Sequence, residues 1–199
     1  MFTGIIETLG TVELIESAGS NISFFIRSTI THELKVDQSV AHNGCCLTIE
    51  EIEGALYKVT AIGETLAKTQ LGDWSPGSKI NIERCMVLGA RLDGHMVQGH
   101  VDTVGKVEEI ENKNGSYLVS VSYEKGDDRL TVPQGSITVN GISLTVAKSG
   151  SRDFSVAIIP YTWEHTNMQY IRKGDRVNLE FDIIGKYLSV LIKNRDGII

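Results

Sequence analysis

The stretches MFTGIIETLGTV (residues 1–12) and MVQGHVDTVGKV (residues 96–107) align without a gap. Met1/Met96, Gly4/Gly99, Thr8/Thr103, Gly10/Gly105 and Val12/Val107 are identical, while Ile6/Val101 and Glu7/Asp102 keep their character. One such match proves little, because a duplication must continue down the chain at a nearly constant offset. It does. VAHNGCCLTIEEI from Val40 matches ITVNGISLTVAKS from Ile137 through Asn43/Asn140, Gly44/Gly141, Leu47/Leu144 and Thr48/Thr145. VTAIGETLAKT from Val59 matches VAIIPYTWEHT from Val156 through Thr65/Thr162 and Thr69/Thr166, and PGSKINIE matches KGDRVNLE through Gly77/Gly174, Asn81/Asn178 and Glu83/Glu180. The chain is one unit written twice.

The repeated runs are short, rich in β-branched residues and bounded by turn residues, as in CLTIEEI, ALYKVTAI, SKINIE, SYLVSVSY, SLTVAKS and RVNLEF. That pattern predicts strands, and the Asn-Gly pairs supply the positive φ angles of tight hairpins. Many short strands in two similar halves predict an all-β fold of two antiparallel barrels, with a pair of sandwiches as the alternative. GETLAKTQLG and PYTWEHTNMQ each predict one helical turn. In the tail, Ile184, Tyr187, Leu188, Leu191 and Ile192 follow the stripe of an amphipathic helix that has no counterpart in the first half. Such a stripe packs on its own barrel or forms a seam between subunits.

The chain has 199 residues with a formal charge of -6 and no basic run, which disfavours nucleic acid as a partner. No apolar run is long enough for a membrane span. The start lacks the basic and apolar regions of a secretory signal, and three cysteines do not make a disulfide framework, so a cytoplasmic location is expected. Adjacent Cys45 and Cys46 lack the spacer that lets two thiolates reach one metal, and in a strand they point to opposite faces, one into the core. His95 and His100 flank MVQG without a recognisable third ligand, which favours acid-base chemistry over a metal. The halves differ where polar groups cluster: Phe2 stands against Val97, Thr3 against Gln98, Cys46 against Ser143 and Glu64 against Tyr161. Two similar pockets therefore treat similar ligands differently.

MFTGIIE, SVAHNGCCLT, DGHMVQGHVDT, VNGISLTV and VNLEFDIIGKY together resemble the riboflavin synthase family of duplicated lumazine-binding barrels, over essentially the whole chain. The resemblance implies two six-stranded Greek-key barrels (1–93 and 94–183), a C-terminal helix (184–199) that holds a homotrimer together, and no metal or redox cofactor. It implies dismutation of 6,7-dimethyl-8-ribityllumazine, one molecule giving a four-carbon unit to the other, in a site where one subunit's first barrel faces its neighbour's second. The first-barrel pocket falls on Gly4, Ile5 and Ile6, on Cys46, Leu47 and Thr48, and on Thr60, Ala61, Ile62, Gly63, Glu64 and Thr65. The second falls on Gly99, His100 and Val101, on Ser143, Leu144 and Thr145, and on Ile159, Pro160, Tyr161, Thr162, Trp163 and Glu164.

For catalysis the resemblance points to Phe2, Ser39, Cys46, His100, Thr145 and Asp182. Phe2 would stack on or close the site, Cys46 would act as nucleophile or ligand contact, and Ser39, His100 and Asp182 would handle protons. The chain departs from the family at Gln134, where a lysine is common, at Asn140, where an acid is common, and at Trp163 and His165. Non-catalytic lumazine-binding antenna proteins share the same barrels. Phe2, HNGCCLT, GHMVQGH and the amphipathic tail, kept together, favour catalysis.

Overall fold

The computed structural model describes residues 1–126 and 129–196. The first half contains β1 (Thr8–Ala18), β2 (Asn21–Ser28), β3 (Ser39–His42), β4 (Cys45–Thr48), β5 (Glu51–Glu53), β6 (Leu56–Ala61), α1 (Gly63–Lys68) and β7 (Lys79–Arg84). The second contains β8 (Thr103–Asn112), β9 (Tyr117–Tyr123), β10 (Ser136–Val139), β11 (Ile142–Ser149), β12 (Asp153–Ile158), α2 (Pro160–His165), β13 (Arg176–Phe181) and then α3 (Ile183–Asp196).

The second half closes as an antiparallel six-stranded barrel in the order β10-β11-β12-β9-β8-β13. β9 lies beside β12 instead of its successor β10, which is a Greek-key arrangement and excludes the sandwich. The first half runs β4-β3-β7-β1-β2-β6-β5. Its two ends are one stretch of chain, because Ile49 bonds back to Asp37 and Gln38 while Glu50 donates to Lys58 on β6. β4 and β5 are therefore the interrupted counterpart of β11, and the predicted strand CLTIEEI turns the corner between Ile49 and Glu50. The longest strand, β1, and its partner β2 lay outside the predicted runs; in β1, acidic residues break the alternation.

Each barrel has its own core. Val12, Phe24, Ile26, Val40, Tyr57, Val59 and Ile82 fill the first, and Val107, Val119, Val121, Ile137, Phe154, Val156 and Leu179 the second. His42 belongs to the first core: its ring meets the Val40 carbonyl at 3.0 Å and the Tyr57 hydroxyl at 2.9 Å, and burial pushes its pKa down to about 3.

The halves meet about a local twofold axis at the Asn-Gly turns. Asn43 and Asn140 both have φ of 46°, followed by Gly44 at 77° and Gly141 at 81°. A Cβ placed on Gly44 would stand 2.7 Å from the Gly141 nitrogen, so only glycine permits this approach. Asn81 Nδ2 donates to the Asn140 carbonyl at 2.8 Å, and Asn178 Nδ2 donates to the Asn43 carbonyl at 2.9 Å. These amides are buried, and every lost partner would leave a desolvated polar group.

α3 leaves its stripe uncovered. Ile184, Tyr187, Leu188, Leu191 and Ile192 are each more than half exposed. The first turn is tied down by Lys186 Nζ donating to Asp102 at 2.6 Å and by Asp182 Oδ1 accepting from the Ile184 N–H at 2.9 Å. Residues 197–199 of the predicted tail lie outside the described residues.

Candidate functional site

The segment before β1 and its repeat before β8 cross between the barrels. Phe2 and Val97 pair as an antiparallel bridge. Beyond it, the Gly4 carbonyl accepts the Ser143 N–H at 2.8 Å, and the Gly99 carbonyl accepts the Cys46 N–H at 2.9 Å. Ile6 packs on the second core and Val101 on the first. This corrects the expected grouping of the pocket residues. Gly4, Ile5 and Ile6 lie with Ser143, Leu144 and Thr145, whereas Gly99, His100 and Val101 lie with Cys46, Leu47 and Thr48. Sequence order placed each segment with its own half, and only the crossing reveals the exchange.

Two acids absent from the sequence-based candidates hold these segments. Glu83 accepts from the Thr3 N–H at 2.6 Å and the Gly4 N–H at 3.0 Å. Glu180 accepts from the N–H groups of Gln98 at 2.6 Å, Gly99 at 3.0 Å and His100 at 3.0 Å. Burial pushes the Glu180 carboxyl up to about 7 against the pull of these donors, and pushes Glu83 in the same direction. Their identity across the repeat was the available signal. Gly4 and Gly99 have φ of 77° and 80°, and a Cβ on either would fall 2.6 Å from the Ser143 Cβ or 2.7 Å from the Cys46 Cβ.

Along the remaining edges, Thr48 and Thr145 are exposed at equivalent places. Leu47, Leu144 and Ala61 point into the cores, leaving only their backbones to line a pocket. Thr60 bonds Ser23 at 2.8 Å and Glu50 at 2.9 Å. Ile62 is exposed before α1, which carries Gly63, Glu64 and Thr65; Ile159 is exposed before α2, which carries Pro160, Tyr161, Thr162, Trp163 and Glu164. Trp163 stacks on Tyr117 with ring centroids 3.8 Å apart, and Tyr161 stacks on His165 at 4.1 Å. Gln134 is exposed with φ of 66°, the equivalent of Asp37 at 68°.

The six catalytic candidates do not form one cluster within the chain. Phe2 is fully buried against Ala41 and Val97, beside Cys46 and Cys85. It offers no free face for stacking. Cys45 is a core thiol, pushed up by burial to about 12. Cys46 is half-buried beside the Ser39 hydroxyl, and burial raises its pKa more than that hydroxyl lowers it. His100 is exposed on the crossed segment. Asp182 caps α3, and its charge acts on His95. His95, not His100, is the histidine tied to a pocket residue: its Nδ1 lies 2.7 Å from Ser143 Oγ. A cleft of about 470 Å³ opens beside Thr3, Ile5, Glu83 and Cys85. A larger one, about 710 Å³, lies by Lys106, Arg129, Arg152 and Arg176 and contains none of the candidates.

Two crossed segments, two equivalent strand edges and two helical turns make a duplicated binding unit, and the model of the Lumazine binding domain matches residues 3–85 and 98–182. The chain belongs to the lumazine-binding family. It is 39% identical over 199 residues to a riboflavin synthase of Mycobacterium tuberculosis (strain H37Rv), covering 98% of this chain and 99% of the relative. It is 36% identical over 189 residues to the riboflavin synthase of Bacillus subtilis (strain 168), covering 94% and 88%. The fold is also that of LumP, solved in complex with 6,7-dimethyl-8-(1'-D-ribityl) lumazine: the TM-score is 0.83 at 22% identity, covering 91% of this chain and 99% of that one. The family match bears out the duplication and its lumazine-binding character. No helix among the described residues is long and apolar enough to cross a membrane.

Proposed function

We propose that the chain is a riboflavin synthase, catalysing dismutation of two molecules of 6,7-dimethyl-8-ribityllumazine to riboflavin and 5-amino-6-(D-ribitylamino)uracil. The carrying observation is a duplicated lumazine-binding unit whose two copies differ at Phe2/Val97, Thr3/Gln98 and Cys46/Ser143, in a chain of the riboflavin synthase family. Donor and acceptor are the same compound, so two pockets of one ancestry suit both. The reaction still requires them to differ. The products together contain all the atoms of two substrate molecules, so the overall balance requires no external oxidant or reductant.

In this reading each pocket binds one lumazine, and bringing two bound rings face to face supplies much of the acceleration through proximity. Backbone groups along residues 46–48, 60–65 and 99–101 read the first ring, and those along 4–6, 143–145 and 159–164 read the second. Thr48 and Thr145 offer hydroxyls at equivalent edges. Gln134, Trp163 and His165 change what the second pocket presents relative to the family. Phe2 walls the first pocket; Ser39 and Cys46 contact its ligand. His100 and Asp182 serve proton transfer to and from the acidic methyl carbon and the adding nucleophile.

The exposed stripe of α3 supports assembly into a homotrimer, in which one subunit's first barrel faces the next subunit's second, and the location is cytoplasmic. An apolar cleft of about 400 Å³ bordered by Met1, Met96, Ile184, Tyr187 and Leu188 lies beside that stripe. The domain boundaries 1–93, 94–183 and 184–199 accompany this reading. Incubation with 6,7-dimethyl-8-ribityllumazine alone tests it: riboflavin absorbance and fluorescence develop. Tight ligand binding without product would select a binding protein of the antenna type.

A further inference from the structure

His95 lies outside the two duplicated blocks of pocket residues, yet its ring bridges a cross-strand pair. Thr138 on β10 and Ser143 on β11 are direct partners in the ladder. His95 Nδ1 is 2.7 Å from Ser143 Oγ, and its Nε2 is 3.2 Å from Thr138 Oγ1. Gly94 lets the chain pass this close, since a Cβ there would fall 2.1 Å from the Thr3 carbonyl oxygen and 2.9 Å from the Ser143 Cβ. The first half has none of this. Its equivalent ladder pair is Ala41 and Cys46, packed beneath Phe2.

We infer that His95 is a positioning residue that fixes the Ser143 hydroxyl as a hydrogen-bond donor toward an acceptor atom of the ligand in that pocket. The direction follows from satisfaction of buried groups. Thr138 is 1% exposed, and the imidazole is the only acceptor in reach of its hydroxyl among the described residues, so the hydroxyl donates to Nε2. A neutral ring accepting at Nε2 carries its hydrogen on Nδ1 and donates it to Ser143 Oγ. Desolvation favours the neutral ring over the opposing attraction of Asp182. The Ser143 hydrogen is then left for a carbonyl oxygen or ring nitrogen of the bound heterocycle. A donor fixed in advance stabilises negative charge that develops on such an atom. The Ala41–Cys46 pair has no imidazole bridging it and offers only a weak thiol donor beside Ser39, so the pocket of Gly4 and Ser143 is the better suited to a ligand that gains negative charge. This rests on the two-pocket reading above.

The test combines ring ¹⁵N NMR of His95 with turnover of 6,7-dimethyl-8-ribityllumazine. At pH 7 the free protein shows a neutral ring protonated on Nδ1; Thr138→Val perturbs the Nε2 resonance and Ser143→Ala the Nδ1 resonance. His95→Ala and Ser143→Ala each lower kcat roughly tenfold to a hundredfold, and the double variant is no slower than Ser143→Ala alone. His95→Gln, which keeps size and polarity but not the two-ended bridge, loses turnover similarly with an unchanged urea midpoint. The opposite tautomer, an unaffected kcat in His95→Gln, or additive losses in the double variant would overturn the inference. Absence of turnover in the unaltered protein would instead overturn the proposed reaction, while the NMR arm still reads the hydrogen-bond chain.

Discussion

Replacing Gly44 with alanine tests whether the two halves are locked at their twofold axis. At φ of 77° the new side chain sits in the left-handed region, costing about 1–2 kcal/mol. Its methyl would also stand 2.7 Å from the Gly141 nitrogen, so reaching an ordinary 3.4 Å contact requires the turns to separate by about 0.7 Å. That shift stretches the bond from Asn81 to the Asn140 carbonyl, now 2.8 Å, and the bond from Asn178 to the Asn43 carbonyl, now 2.9 Å, to the limit of hydrogen bonding. Two weakened buried bonds add about 1 kcal/mol each. The total is about 3–4 kcal/mol, which for a chain of this size lowers Tm by roughly 10 °C. Gly19→Ala is the control: φ there is 63° and nothing lies within 4 Å, so only the backbone cost applies. Urea and thermal unfolding of both variants measure the difference. Equal destabilisation of the two would refute the claim that the close approach matters, and turnover in Gly44→Ala should fall with stability because the crossed segments depend on the same register.

Three further outcomes are expected. His42 is neutral in the fold with a pKa of about 3 against 6.5 for an ordinary histidine, so the unfolded chain binds the extra proton first and stability falls as pH drops from 6.5 toward 3. Between pH 6.5 and 5 this loss is about 2 kcal/mol, and a His42→Gln variant followed by denaturant titration across the same window should show a flatter dependence. Cys46 should react with iodoacetamide at pH 7.5 more slowly than a free model thiol, because burial raises its pKa; a faster rate would show an activated thiolate. Truncation after Asp182 removes both the exposed stripe and the Lys186–Asp102 pair, and sedimentation should then report a smaller particle with lower turnover; an unchanged sedimentation coefficient would exclude α3 from assembly.

Much of the site was legible because duplication repeats its local chemistry. The Asn-Gly pairs announced their turns, Cys45 and Cys46 announced opposite faces, and α1 and α2 fell where their helical turns were expected. The repeat also displayed Glu83 and Glu180 as identical acids, but nothing local says that a strand-borne carboxylate collects the amides of a segment some 80 residues away. His95 showed the same limit. Its two hydroxyl partners lie 43 and 48 residues away, joined only by the closing of β10 against β11.

The sequence by itself determined a duplicated all-β protein with an amphipathic tail, because turn residues, strand periodicity and helical stripes are local properties that survive unfolding; its lumazine-binding character came only from the resemblance of its motifs to that family. Tertiary structure decided which barrel's strand edge each repeated segment joins. MFTGIIE and MVQGHVD cross to the opposite barrels, with Gly4 bonding to Ser143 and Gly99 to Cys46. That exchange depends on a twofold contact tight enough to admit only Gly44 and Gly141, a distance between remote backbones that no run of residues encodes alone.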